Sequence, residues 1–234
     1  MKKRAIPTGL FLALVLLGFS APLAARQASL PRPALWATAV LGTHVENLYR
    51  VEPEVLRSAQ PSAGGFQELE ALGVKSVLDV AGGDGDDTSS RGTKLKLFHV
   101  PMSAFSLRDD RVLEALRILT DPQNRPVVIH CQHGADRTGA IVALYRVVVQ
   151  GWSKEDAVRE MDEGGFHHSS LFRNLDRYVL NADVEALRHK LGVVLPVPAS
   201  PAAAPVLALT AAPATASPAA AASTAPAASA GVSQ

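Results

Sequence analysis

The chain has 234 residues and a formal net charge of +1. That is enough for one domain with extensions, and it lacks the excess of either sign that marks a nucleic-acid partner. A single cysteine, Cys131, excludes an intramolecular disulfide and any metal site built on cysteines.

The chain opens like an export signal. Lys2, Lys3 and Arg4 precede an apolar stretch from Gly9 to Phe19, and small residues follow in Ser20-Ala21-Pro22-Leu23-Ala24-Ala25. The apolar stretch is shorter than the about 20 residues of a membrane-spanning helix. Residues 1–25 are therefore expected to be a cleaved signal peptide, leaving a secreted or periplasmic protein with no stable membrane span. An oxidising compartment is a demanding place for a reactive thiol. Residues 26–43 carry two prolines and no clear period, and read as a linker or extended arm ahead of a domain over 44–192.

Within that domain, Asn47–Val51 and Val55–Ala59 read as two short strands around the turn Glu52-Pro53-Glu54. Ser62 is placed to cap a helix with Phe66, Leu69 and Leu72 on one face and Gly73 as its stop. Val74–Val80 reads as a strand. Residues 81–94 hold Gly82, Gly83, Asp84, Gly85, Asp86 and Asp87. They do not fit the twelve-residue calcium-loop pattern and read as a solvated, mobile loop. Leu95–Val100 alternates like a strand. Ser106 to Asp109 reads as a capping segment that opens a helix carrying Val112, Leu113, Leu116 and Leu119. Pro126 to Ile129 is a buried strand. Beyond Arg137, Ile141, Leu144, Tyr145 and Val148 recur at helical spacing as far as Gly151. Ser153 caps a shorter helix, and a last helix is predicted from Leu171 to Lys190. Pro196 to Gln234 contains no charged and no aromatic residue, so 193–234 reads as a disordered tail that buries too little surface to offset the entropy of ordering.

The chemistry concentrates where the strand ending at Ile129 meets the helix after Arg137. A strand, a tight loop and a helix N-terminus gather backbone N–H groups around an anion. His130 and the positive end of the helix favour a thiolate at Cys131. Arg137 presents a planar fork that fits two phosphate oxygens. Gly134 lets the backbone turn inward. The loop from Gln132 to Arg137, through His133, Gly134, Ala135 and Asp136, supplies the rest of a phosphate cradle. This is equipment for nucleophilic attack on a phosphate ester.

His130-Cys131, five residues, then Arg137-Thr138-Gly139 resembles the signature loop of the cysteine-dependent protein tyrosine phosphatases, and most of all their dual-specificity branch. Leu56 to Leu78 resembles the opening of bacterial and plant-type members, which widens the likeness to most of 46–190. The resemblance implies an α/β fold, a central mostly parallel sheet flanked by helices. It implies a phosphocysteine intermediate, no metal and no cofactor, and a phosphorylated protein or small phosphoester as partner. It gives Cys131 the role of nucleophile and Arg137 that of phosphate clamp. His130 and Thr138 become supporting residues, Thr138 by donating its hydroxyl to the sulfur.

Two departures stand out. Family members often place an arginine just after the strand that ends here at Val80, where this chain has Ala81-Gly82-Gly83. They also carry an aspartate as general acid some thirty residues before the cysteine, where this chain reads Pro101-Met102-Ser103-Ala104. The remaining candidates for the acid are Asp136, placed as in myotubularin-type lipid phosphatases, and Asp109 or Asp110. Phosphoinositide phosphatases of the tumour-suppressor type carry lysines at the positions held here by Gln132 and Ala135, so a highly anionic inositol substrate is disfavoured, although plant-type relatives take inositol pyrophosphates. His167 and His168 are expected at the pocket rim. A phosphate-binding module with little turnover is the reading from another functional class.

Overall fold

The computed structural model describes residues 33–83 and 85–195. The signal peptide over 1–25, the first part of the linker, Asp84 and nearly all of the 193–234 tail lie outside the described residues. The elements are β1 (Thr38–Ala39), β2 (Tyr49–Glu52), β3 (Val55–Ser58), α1 (Ala63–Ala71), β4 (Ser76–Asp79), α2 (Gly85–Ser89), β5 (Lys96–His99), α3 (Asp109–Thr120), β6 (Val127–His130), α4 (Asp136–Val148), α5 (Lys154–Glu163), α6 (Arg173–Asn181) and α7 (Val184–Leu191).

The six strands form one sheet in the order β1-β2-β3-β6-β4-β5. β3, β6, β4 and β5 are parallel neighbours, while β1 and β2 extend the β3 side antiparallel. This is the mixed, mostly parallel α/β sheet that the sequence predicts. β6 lies centrally between β3 and β4, with Leu56 and Val77 both opposite Val128. Alternation along the strands then divides the core. Leu56, Val77 and Val128 pack on one face with Phe66 and Leu69 of α1. Leu78, Val127 and Ile129 pack on the other with α3 to α6. Strands buried on both faces are expected where helices cover a parallel sheet.

α4 is the central helix. Every residue from Thr138 to Val148 is buried, the pattern of a helix enclosed on all sides. Its N-terminus follows directly from the loop that leaves the carboxyl end of β6, where ligands sit in sheets of this kind.

Four sequence expectations change. The described part of 26–43 is not a free linker: Trp36 and Ala37 are buried, the Ala37 N–H donates to Glu160 Oε1 at 2.6 Å, and Thr38–Ala39 pairs with Tyr49–Arg50. An arm that fills an edge of the sheet removes unpaired backbone groups from that edge. Residues 81–94 are not simply a solvated loop, because α2 forms there and turns Asp86 inward. α3 begins at Asp109 with Arg108 at its N-cap and no side-chain cap, so Ser106 does not cap it. The last helix is broken: α6 ends at Asn181, and Asp183 caps α7 by accepting from the Ala186 N–H at 3.0 Å. Ser62 and Ser153 cap α1 and α5 as the sequence predicts.

Candidate active site

The loop after β6 is shaped by its carbonyls. The Gln60 N–H donates to Gln132 O at 3.3 Å. Asn47 Nδ2 donates to His133 O at 2.9 Å. Arg57 Nη2 donates to Gly134 O at 2.6 Å and reaches Ala135 O at 3.5 Å. Four successive carbonyls are thus drawn outward. In a planar trans peptide the next residue's N–H points the opposite way, so the N–H groups of His133 to Asp136 turn toward the inside of the loop. None of the N–H groups from Gln132 to Ala135 donates to an acceptor among the described residues. The loop ends on the N-terminus of α4, whose first N–H groups also lack helical partners. The result is an anion cradle with Cys131, 2% exposed, at its start.

Gly134 is required by two independent constraints. Its φ is +68°, and a Cβ there would lie 2.3 Å from Ser58 O. No side chain fits between the loop and β3.

Arg137 is oriented by backbone rather than by carboxylate. Its Nη1 donates to Ala81 O at 3.0 Å and to Met102 O at 3.4 Å. The segment that lacks the family arginine, and the segment that lacks the expected aspartate, therefore each supply a carbonyl to Arg137. His130 is fully buried with Nε2 2.8 Å from Asp86 Oδ2, and Gln60 Nε2 donates to Asp86 Oδ1 at 3.2 Å. Burial favours the neutral Asp86, but the hydrogen bonds and charge from His130 outweigh it and hold the carboxyl below its ordinary range. The Thr138 hydroxyl is buried with no hydrogen-bond partner among the described residues.

Asp136 is anchored on the segment after α5. Its Oδ1 lies 2.8 Å from His168 Nδ1 and accepts from the Ser169 N–H at 2.9 Å. His168 Nε2 is 2.8 Å from Asp176 Oδ1. Burial pushes Asp136 up, but the hydrogen bonds from His168 and Ser169 more than reverse it, and the carboxyl sits below its usual range. His168 goes the other way: burial lowers it, and the bonds to Asp136 and Asp176 raise it above an ordinary imidazole. His168 is therefore a buried link between α4 and α6, with only 1% of its side chain exposed, and not the rim residue of the sequence reading. His167, at φ +65°, does line the cavity.

Asp109 and Asp110 lie elsewhere. Asp109 accepts from the Tyr178 hydroxyl and lines a different cavity with Asn174 and Tyr178. Asp110 is exposed and paired with Arg108. The cavity that adjoins the loop, about 770 Å³, is lined by Asn47, Tyr49, His133, Asp136, Ser169 and Phe172 among others. Among the described residues no lysine or arginine lines it.

The sequence reading missed Asn47 and Arg57, which hold the loop from outside. Asn47 carried a weak signal, since asparagine tolerates the positive φ it adopts, +53°. Arg57 carried no signal of a role in the loop beyond its place in the Leu56–Leu78 resemblance.

A family model described as DSP-PTPase phosphatase fused to NAD+ kinase matches residues 36–174. The dual specificity protein phosphatase TpbA of Pseudomonas aeruginosa is 40% identical over 183 residues, which cover 76% of this chain and 82% of TpbA. The structure of TpbA in complex with pTyr superposes with a TM-score of 0.63 at 37% identity, covering 69% of this chain and 98% of that one. The inositol diphosphatase DSP5 of Arabidopsis thaliana is 31% identical over 122 residues, which cover 49% of this chain and 59% of DSP5.

Proposed function

The chain belongs to the dual-specificity branch of the cysteine-dependent protein tyrosine phosphatases, and from that premise we propose that it is an exported enzyme that hydrolyses phosphate monoesters of proteins, phosphotyrosine above all, through a phosphocysteine intermediate. The observation that carries the substrate choice is the lining of the cavity beside the loop. Tyr49 and Phe172 give it aromatic walls, its carboxylates are Glu46 and Asp136, and among the described residues its basic side chains are the histidines His133 and His167, with no lysine or arginine. An aryl ring gains from such walls. A substrate with several phosphates needs cations to balance them, and meets carboxylates instead. TpbA, the relative with high coverage, is bound to pTyr in its complex.

In the first step the Cys131 thiolate attacks phosphorus, the S–P bond forms, and the bond from phosphorus to the leaving oxygen breaks. The inward N–H groups and Arg137 hold the equatorial oxygens, where charge is spread in the transition state. The leaving oxygen takes a proton from the Asp136–His168 unit. Asp136 lines the cavity, and His168 behind it stores the proton. Held low, the Asp136 carboxyl is ionised at neutral pH and has no proton of its own to give, so the proton comes from His168. In the second step water attacks phosphorus and gives its proton to the same unit. The S–P bond breaks and inorganic phosphate leaves. Thr138, whose buried hydroxyl has no partner among the described residues, is available to donate to the sulfur as it departs.

Turnover of an aryl phosphate by the full chain in EDTA, abolished in Cys131→Ser, tests the reaction. Phosphotyrosine peptides should be turned over faster than phosphoserine peptides or an inositol pyrophosphate. A preference for the inositol substrate sinks the substrate assignment, and phosphate binding without turnover sinks the enzyme. Fusion of residues 1–25 to a reporter active only outside the cytoplasm tests export.

A further inference from the structure

Arg57 lies at a core position. It stands opposite Ile129 in the β3–β6 register, on the strand face that packs against α4 and α5. Only 1% of it is exposed. A guanidinium in such a place is costly unless a negative charge compensates it. Among the described residues Arg57 makes no ion pair with a carboxylate. The carboxylate that acts on it, Glu160, is bound bidentately by Arg146 at 2.7 and 2.8 Å and also receives the Ala37 N–H. Arg57 Nε is buried with no hydrogen-bond partner among the described residues, and its Cζ stacks 3.7 Å from the centre of the Phe166 ring. Its two acceptors are the Gly134 and Ala135 carbonyls of the phosphate loop.

We infer that Arg57 is a positioning residue for the phosphatase reaction: it aims the N–H groups of Ala135 and Asp136 into the cradle, and through them it favours the Cys131 thiolate and the bound phosphoryl group. The groups that act on it electrostatically are Glu160, Cys131, Tyr49 and Arg146. Burial lowers Arg57 to about 10, and Glu160 and Cys131 draw it back up. Arg57 is buried and meets the loop through its Gly134 and Ala135 carbonyls, so its contribution passes through the loop.

The inference rests on the phosphatase reading, and the test keeps the two apart. Alkylation of Cys131 by iodoacetamide at about pH 6, below the ordinary thiol range, reports the thiolate without any turnover. In the full chain, Arg57→Gln should slow alkylation roughly 10-fold and lower kcat roughly 30-fold, the scale of a lost charged hydrogen bond with its charge. Arg57→Lys should recover most of the alkylation rate and less of kcat, because it restores the charge but not the planar fork. A folded Arg57→Gln that alkylates at the parent rate overturns the inference. If that variant does not fold, the parent decides. Support from a buried charge keeps the alkylation rate within about twofold between about 0.05 and 1 M salt, whereas a roughly 10-fold fall assigns the support to solvent-exposed groups and overturns the inference. A parent that alkylates as described but hydrolyses no phosphomonoester defeats the phosphatase reading and leaves Arg57's action on the thiol standing.

Discussion

The Nδ1 of His168 lies 2.8 Å from Oδ1 of Asp136, and this contact ties the N-terminus of the catalytic helix to the segment that closes one side of the cavity. The other ring nitrogen meets Asp176, and Asp162 stands 3.9 Å from it. Arg173 bonds both Asp162 and Asp176 and completes the surroundings of the imidazole.

Removing that link should change both rate and pH response. Asp136→Asn and His168→Gln should each lower kcat for an aryl phosphate roughly 100-fold, the scale of a lost general acid, and flatten the alkaline limb of the pH–rate profile. A parent-like profile in both variants assigns the proton to another group.

The same pair sets a pH window for stability. His168 binds its proton more tightly when folded, so its contribution is complete below the unfolded value of about 6.5 and fades as pH rises through the higher folded value. Asp136 is held low, so its contribution is present above the unfolded value of about 3.9 and is lost as pH falls through the lower folded one. Thermal melts of His168→Gln should fall below the parent at about pH 5.5 and converge on it at about pH 9.

Asp86 gives a second, one-sided test. Its carboxyl is held low by His130, so its contribution is present above about pH 3.9 and disappears as pH falls through the folded value. Asp86→Asn should destabilise the protein at neutral pH by roughly 2 kcal/mol, read by urea unfolding, with a smaller deficit at about pH 3.

Gly134→Ala forces a methyl group to within 2.3 Å of Ser58 O in a left-handed conformation. The loop or β3 must shift, at a cost of roughly 2 kcal/mol or more. Turnover should fall by about 100-fold or more if the displaced N–H groups hold the phosphoryl oxygens as proposed. Calorimetric titration with phosphate should show the matching loss of affinity.

Asn47→Gly retains the freedom for φ +53° and removes the hydrogen bonds to His133 O and Phe166 O. The expected loss is about 10-fold in kcat/KM, equivalent to about 1.4 kcal/mol, with a parent-like melting temperature. An unchanged kcat/KM would show that Gln60 and Arg57 suffice to hold the loop.

The central part of the site was legible because its signals are local. An apolar strand, one cysteine, a glycine and an arginine at fixed spacing, and a helical apolar period after them all lie between Val127 and Val148. The caps at Ser62 and Ser153 were legible for the same reason. Arg57 and Asn47 were not, since they reach the loop from 77 and 86 residues away, and period-two patterning cannot tell a charged residue that is buried from one at an edge. Asp86 read as solvent-facing because the segment is glycine- and aspartate-rich; its buried partner His130 lies 44 residues on. The docked arm at Trp36 and Ala37 depends on Glu160, again a distant residue. Asp136 was legible as a candidate by the absence of a carboxylate in Pro101-Met102-Ser103-Ala104, while its anchor on His168 was not.

α4 is buried from Thr138 to Val148, and this governs how the enzyme can fail. A helix with no exposed face cannot fray or detach by itself, so its amides open only with the domain as a whole. Hydrogen exchange along 139–148 should report global unfolding, and the denaturant midpoint for loss of activity should coincide with the midpoint for loss of structure. The cradle, rooted on that helix, is then either complete or gone, and a partly inactivated sample is a mixture of intact and unfolded molecules.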